Sequence, residues 1–117
     1  MDQTQQATVI WPVIALAARM QRVLTYSDLE GLTGIPRYGQ NEALHLVYLH
    51  CSRKGYPLLN SIVVNQATGF PGDEHPRQMT PAEFLIERAR VFAFDWTSTA
   101  VAKPRPEDFQ QARAAAI

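Results

Sequence analysis

The sequence predicts a mainly α fold with a small β component: a winged helix-turn-helix with a helical C-terminal extension. Three observations carry that prediction. "TYSDLEGLTGIPR" sets a helix-start signal and a Gly/Pro turn in front of a long helical stretch, "SIVVN" follows as a short β-branched run, and "TPAEFLIERARV" opens a further helix. With 117 residues, 46% of them hydrophobic, the chain fits one core. The winged core is drawn over residues 1–72, with residues 73–117 as a helical extension packed on the same domain.

In chain order, "MDQTQQA" is polar and is expected to fray. From Val9, the spacing of Ile10, Ile14 and Ala17 predicts a first helix that accepts Pro12 in its first turn. "RVLTY" reads as a short strand ending at Thr25, an N-cap with Ser27 and Asp28 in the first turn of the next helix. That helix runs about two turns through Leu29 and Leu32 to Gly34, where "IPR" ends it. A third helix is expected from about Tyr38 to Arg53, closed by Gly55. "SIVVN" is read as a buried strand and "QATGFPGDEHPR" as a turn and an extended, mobile loop. Thr80, Pro81 and Glu83 form a capping-box start. "VFAFDW" continues that helix or turns into a strand, its period fitting either. A last helix begins at Pro106 and Glu107.

Composition narrows the function classes. Eleven basic and eleven acidic side chains cancel, so overall charge does not mark a nucleic-acid binder. The apolar run Val9 to Ala18 lacks a basic leader and is too short to span a membrane, which reads against a signal peptide or membrane partner. A lone Cys51 forms no internal disulfide and belongs with a reducing cytoplasm; no Cys/His spacing suggests zinc. Neither metal nor cofactor is expected.

The stretch "VLTYSDLEGLTGIPR", a helix, and then "PLLNSIVVNQATG" together resemble the DNA-binding domain of the alkylguanine-DNA alkyltransferases and alkyltransferase-like proteins, over roughly residues 22–69. That family's Thr-Tyr-Gly motif is matched by Thr25, Tyr26 and Ser27, and its Gly-x-Pro turn by Gly34, Ile35 and Pro36. Its Pro-Cys-His-Arg-Val-Ile strand falls on Leu59, Asn60, Ser61, Ile62, Val63 and Val64. The acceptor cysteine and its histidine are therefore missing, and the resemblance implies DNA recognition without alkyl transfer, since that transfer needs an activated thiolate. The alkyltransferase-like relatives also lack the cysteine and bind lesions. A second departure counts against base flipping: no arginine lies between Arg37 and Arg53, and Gln40 and Asn41 are the nearest candidates.

On the third helix, Asn41, His45, Tyr48 and Ser52 share one stripe, opposite Ala43, Leu46, Val47 and Cys51. The polar stripe is expected to face outward, able to bond phosphates and, through Asn41, adenine. Arg37 at its start and Arg53 and Lys54 at its end would clamp the backbone. With Tyr26 and Gln40 these residues form the candidate DNA-binding set. The competing reading is a solvated helix face. Cys51 in "HCSRK" is expected to be a small core residue; a displaced nucleophile in a thiol alkyltransferase is the alternative. His75, beside Asp73 and Glu74, is expected in a solvated turn rather than a metal site, and Glu83 and Glu87 are assigned to helix-start electrostatics and pairing with Arg88 or Arg90.

The leading expectation is a non-enzymatic protein that binds duplex DNA, as a regulator or an accessory recognition factor, with helix three in the major groove and "NQATGFPG" as the wing. The alternative is a protein-interaction module, of phage or mobile-element type, that binds a protein partner or a second copy of itself. Trp96 in "FAFDW" is the candidate anchor for that partner, although packing of the extension on the core explains the segment more simply.

Overall fold

The computed structural model describes residues 1–73, 75–98, 101 and 103–116. The order is α1 Gln3–Arg19, β1 Leu24–Thr25, α2 Tyr26–Thr33, α3 Arg37–Lys54, a 3-10 turn Leu59–Ile62, β2 Val63–Val64, α4 Pro81–Ala93 and α5 Pro106–Ala115. The fold is mainly α with a small sheet. Among the described residues no helix is long and apolar enough to cross a membrane.

The first helix begins two turns earlier than the sequence predicts. Asp2 caps it in a reciprocal box, accepting from the Gln5 N–H at 2.9 Å while the Gln5 side chain accepts from the Asp2 N–H at 2.9 Å. Thr4 and Ala7 then extend the buried stripe of Ile10, Trp11, Ile14 and Ala18, so the polar start is held by packing rather than frayed. Pro12 lies inside the helix, not in its first turn.

Local signals set the helix pair. Thr25 and Asp28 form a capping box at the start of α2, and Gly34 ends it with φ of 74°, a left-handed turn that a side chain at this position would strain. Gly55 closes α3 in the same way, with φ of 73°. β1 and β2 pair in parallel, Leu24 against Val63 and Thr25 against Val64. The predicted strands are cut to two residues each because residues 59–62 wind into the 3-10 turn, which buries Leu59, Asn60, Ser61 and Ile62.

The loop after β2 is stitched rather than extended. The Asn65 N–H donates to Phe70 O at 2.8 Å, the Gly69 N–H donates to Asn65 O at 2.8 Å, and Arg88 reaches over to Gly69 O at 2.7 Å. α4 packs on the 3-10 turn: Glu87, buried, accepts the Leu58 N–H at 2.7 Å and pairs with Arg90 at 2.8 Å.

Beyond Ala93 the helix stops, and Trp96 folds back so that its indole N–H donates to Val91 O at 2.8 Å. Trp96 meets Trp11 edge-on at 5.7 Å, and Trp11 in turn meets His50 at 5.5 Å and Phe109 of α5 at 6.3 Å. This aromatic cluster joins α1, α3 and α5. Trp96 is 5% exposed, so the candidate partner anchor is spent on the core and offers no surface to a partner.

Candidate nucleic-acid interface

Because α3 turns about 100° per residue, positions four, seven and eleven after Gln40 return to the side of the helix that Gln40 occupies. Leu44, Val47 and Cys51 stand there, all buried, and Gln40 is buried with them at 0% exposure. Its amide N–H donates to Tyr26 O at 3.0 Å and to Ile35 O at 2.9 Å. Gln40 is thus a brace between the start of α2 and the Gly/Pro turn, and its expected DNA contact is corrected to a structural one. The signal was available: its spacing to Ala43, Val47 and Cys51 is that of the apolar stripe.

One residue on, the next stripe faces outward. His45 and Ser52 are exposed, while Asn41 and Tyr48 are half-buried. Lys54 and Arg53 are exposed at the C-terminal end, Arg53 with a 3.4 Å contact to Gln111 of α5. At the N-terminal end the Arg37 guanidinium lies 3.4 Å over the ring of Tyr26, a cation–π stack that orders both residues. The Tyr26 hydroxyl accepts the Gly72 N–H at 2.9 Å and so ties the following loop to the start of α2.

His75 overturns its expectation. Rather than lying in solvent it is buried, 7% exposed, with its Nε2 3.1 Å from Asn60 Nδ2 and 3.0 Å from Ser61 Oγ. Its Nδ1 lies 2.8 Å from Arg77 O and 3.1 Å from Arg77 N. With Nδ1 protonated the ring donates to the Arg77 carbonyl, and Nε2 accepts from the Ser61 hydroxyl or the Asn60 amide, which satisfies the ring. Local sequence gave no signal of this, since the partners stand 14 and 15 residues away. Glu74, the acidic neighbour of His75 in sequence, lies outside the described residues; among those described no His/Cys/Asp/Glu group gathers to hold a metal.

A serine beside a histidine held by a third group has the outline of a nucleophile and its base. Ser61 is 2% exposed and does not line the adjoining recess, so its Oγ is closed off from the surface in this structure. That recess, between Tyr26, Asn41, His45, Asn60 and His75, has a volume of about 20 Å³, room for a single water molecule. Asn41 Oδ1 and Asn60 Oδ1 are buried without a partner among the described residues, and both residues line it. A nucleobase does not fit this recess as it stands.

The face continues across the loop. Tyr48 meets His45 at 6.1 Å and His75 at 6.2 Å between ring centroids, and the Arg77 guanidinium stands 5.9 Å from the Tyr48 ring. Asn41, His45, Tyr48, Arg37 and Tyr26 are therefore brought together, with Arg77 added, whereas Gln40 and Trp96 are withdrawn. Cys51 lies on the inner side of α3, and burial pushes its thiol up to about 12. At neutral pH it is a protonated core residue, as the helical spacing predicts, and not a displaced thiolate. No protein family, curated protein or solved structure matches the chain.

Proposed function

We propose that the chain is a non-enzymatic winged-helix protein that binds duplex DNA, as a regulator or an accessory recognition factor, with α3 as its reading helix. The observation that carries this is the outward stripe Asn41, His45, Tyr48 and Ser52 on a helix fixed to α2 through a Gly/Pro turn, with cations at both ends. α3 has 18 residues and spans about 27 Å, long enough to lie in a major groove about 12 Å wide with backbone contacts beyond both of its walls. The stitched loop 65–72 takes the place of a wing. Asn60 and Ser61, where the alkyltransferases carry their cysteine and histidine, are given to holding His75, and this supports recognition without transfer.

Fluorescence anisotropy of labelled duplex DNA over a salt series tests the proposal. Binding with a steep salt slope is expected, and Asn41→Ala should weaken it by about 1–3 kcal/mol at sites holding adenine while the fold is retained. Absence of binding at low salt, or unchanged affinity of Asn41→Ala and Tyr48→Ala, rejects it. A plain duplex and one carrying alkylguanine should bind alike, because the recess admits one water and no base.

A protein partner is the second reading, favoured by zero net charge and by Leu85 and Ile86, 51% and 64% exposed on α4. A complex or dimer that Ile86→Asp abolishes, from a chain that never binds DNA, is the outcome that selects it.

A further inference from the structure

The reading helix has a deficit. Between Arg37 and Arg53 it carries no lysine or arginine, and Arg53 contacts Gln111 of α5. Phosphate contacts supply most of the affinity of a duplex-binding protein, so a neutral mid-helix face is poorly equipped alone.

We propose that Arg77, delivered by the loop after β2, is the phosphate contact that α3 lacks, gripping the backbone of duplex DNA beside Tyr48. The inference rests on the DNA-binding reading above. Its first support is placement: the guanidinium stands 5.9 Å from the Tyr48 ring, and Tyr48 in turn meets His45 on the outward face of α3. Tyr48 follows Arg37 by eleven positions, on the order of 16 Å along the helix axis. Arg37 and Arg77 thus bracket the Asn41 and His45 positions at a separation suited to a groove about 12 Å wide and the backbones that wall it.

Its second support is rigidity. With Nδ1 protonated, His75 donates to the Arg77 carbonyl at 2.8 Å, and the other ring nitrogen is held by Asn60 and Ser61 in the buried 3-10 turn. Gln78 closes the other side, donating to Asp73 O at 3.2 Å and His75 O at 3.1 Å. A loop pinned in this way presents an exposed arginine whose backbone has little ordering entropy left to lose on binding. Arg77 is a binding residue, and His75 positions it.

The test is the salt dependence of duplex binding by the full chain and three variants, with melting temperature measured in parallel. Arg77→Ala should lower the slope of log affinity against log salt by about 1 and weaken binding severalfold, with melting unchanged. Arg77→Lys should keep the slope. Arg105→Ala, at a residue that faces Glu107 and Asp108 at the start of α5, should match the wild type. Wild type and Arg77→Ala with one common slope overturn the inference while leaving DNA binding standing. A wild type that does not bind at low salt overturns the DNA-binding reading, and this inference with it.

Discussion

His50 and His75 are buried almost equally, 4% and 7% exposed, in opposite company. His50 of α3 stands among rings, 5.5 Å from Trp11, 5.5 Å from Phe109 and 6.2 Å from Tyr56, and its Nδ1 has no partner among the described residues. His75 has both nitrogens engaged, by Asn60 and Ser61 on one side and the Arg77 backbone on the other. The first imidazole is used as a flat apolar filler at the cost of an unmet polar atom; the second is a joint between a buried turn and an exposed loop. Burial alone does not separate them. The count of partners does, and it directs functional attention to the His75 side of the molecule.

The comparison breaks first, and most severely, in the aromatic cluster. Phe109→Ala should cost about 3–5 kcal/mol in chemical denaturation, a large share of a small domain's stability, while DNA affinity below the unfolding transition stays as in the wild type. A matching loss of affinity would show that the two regions are coupled. Next in size, His75→Ala strands the Asn60 and Ser61 side chains and should cost about 1–3 kcal/mol; unlike Phe109→Ala it should also lower the salt slope of DNA binding, by releasing Arg77.

The third prediction sharpens the contrast with pH. Desolvation holds the His50 pKa below its ordinary value of 6.5, and the nearby Lys54 and Arg53 charges act in the same direction while Asp108 opposes them. The unfolded chain therefore takes up a proton at higher pH than the folded one. The stability this contributes is present above 6.5 and is lost as pH falls through the depressed folded value. Denaturation midpoints should drop over that window in the wild type and drop less in His50→Leu. The smallest effect belongs to the outward stripe: Ser52→Ala should change stability by less than about 0.5 kcal/mol, measured by the same denaturation.

What could be read from sequence was what neighbouring residues decide. Thr25 with Asp28, Thr80 with Glu83, and the glycines at 34 and 55 fix helix ends within a turn, and both ends of α2 and α3 and the start of α4 fall at or within a residue of the predicted positions, whereas the end of α4 at Ala93 lies inside a segment whose period fitted helix and strand alike. The outward and inward stripes of α3 followed from its period, Gln40 excepted, where residue type outweighed position. The Asp2 and Gln5 box is equally local, but the polar composition around it points to a frayed terminus and masks the cap. Other features depend on residues far apart in the chain. The joint at His75 and the withdrawal of Trp96 into the Trp11 cluster come from tertiary packing, and the strands shortened because the 3-10 turn consumed their flank.

Gln40 carries a practical consequence for genetics. Its single amide spans the carbonyls of Tyr26 and Ile35, tying α3 to the start of α2 and to the Gly/Pro turn from a position with no exposed surface; its loss is expected to let α3 tilt. On the proposed DNA-binding reading, a selection that scores only loss of DNA binding would collect Gln40 alleles beside those of Asn41 and Tyr48 and rank them as equals. Their phenotype should nonetheless be separable, because a tilted helix loses its register on the bases whatever their sequence, whereas a missing contact relaxes choice at one base pair. Suppressors should differ as well: second-site changes within α2 or the Gly/Pro turn can rescue a Gln40 allele, whereas a lost base contact is restored by a change in the DNA site or offset by an added phosphate contact.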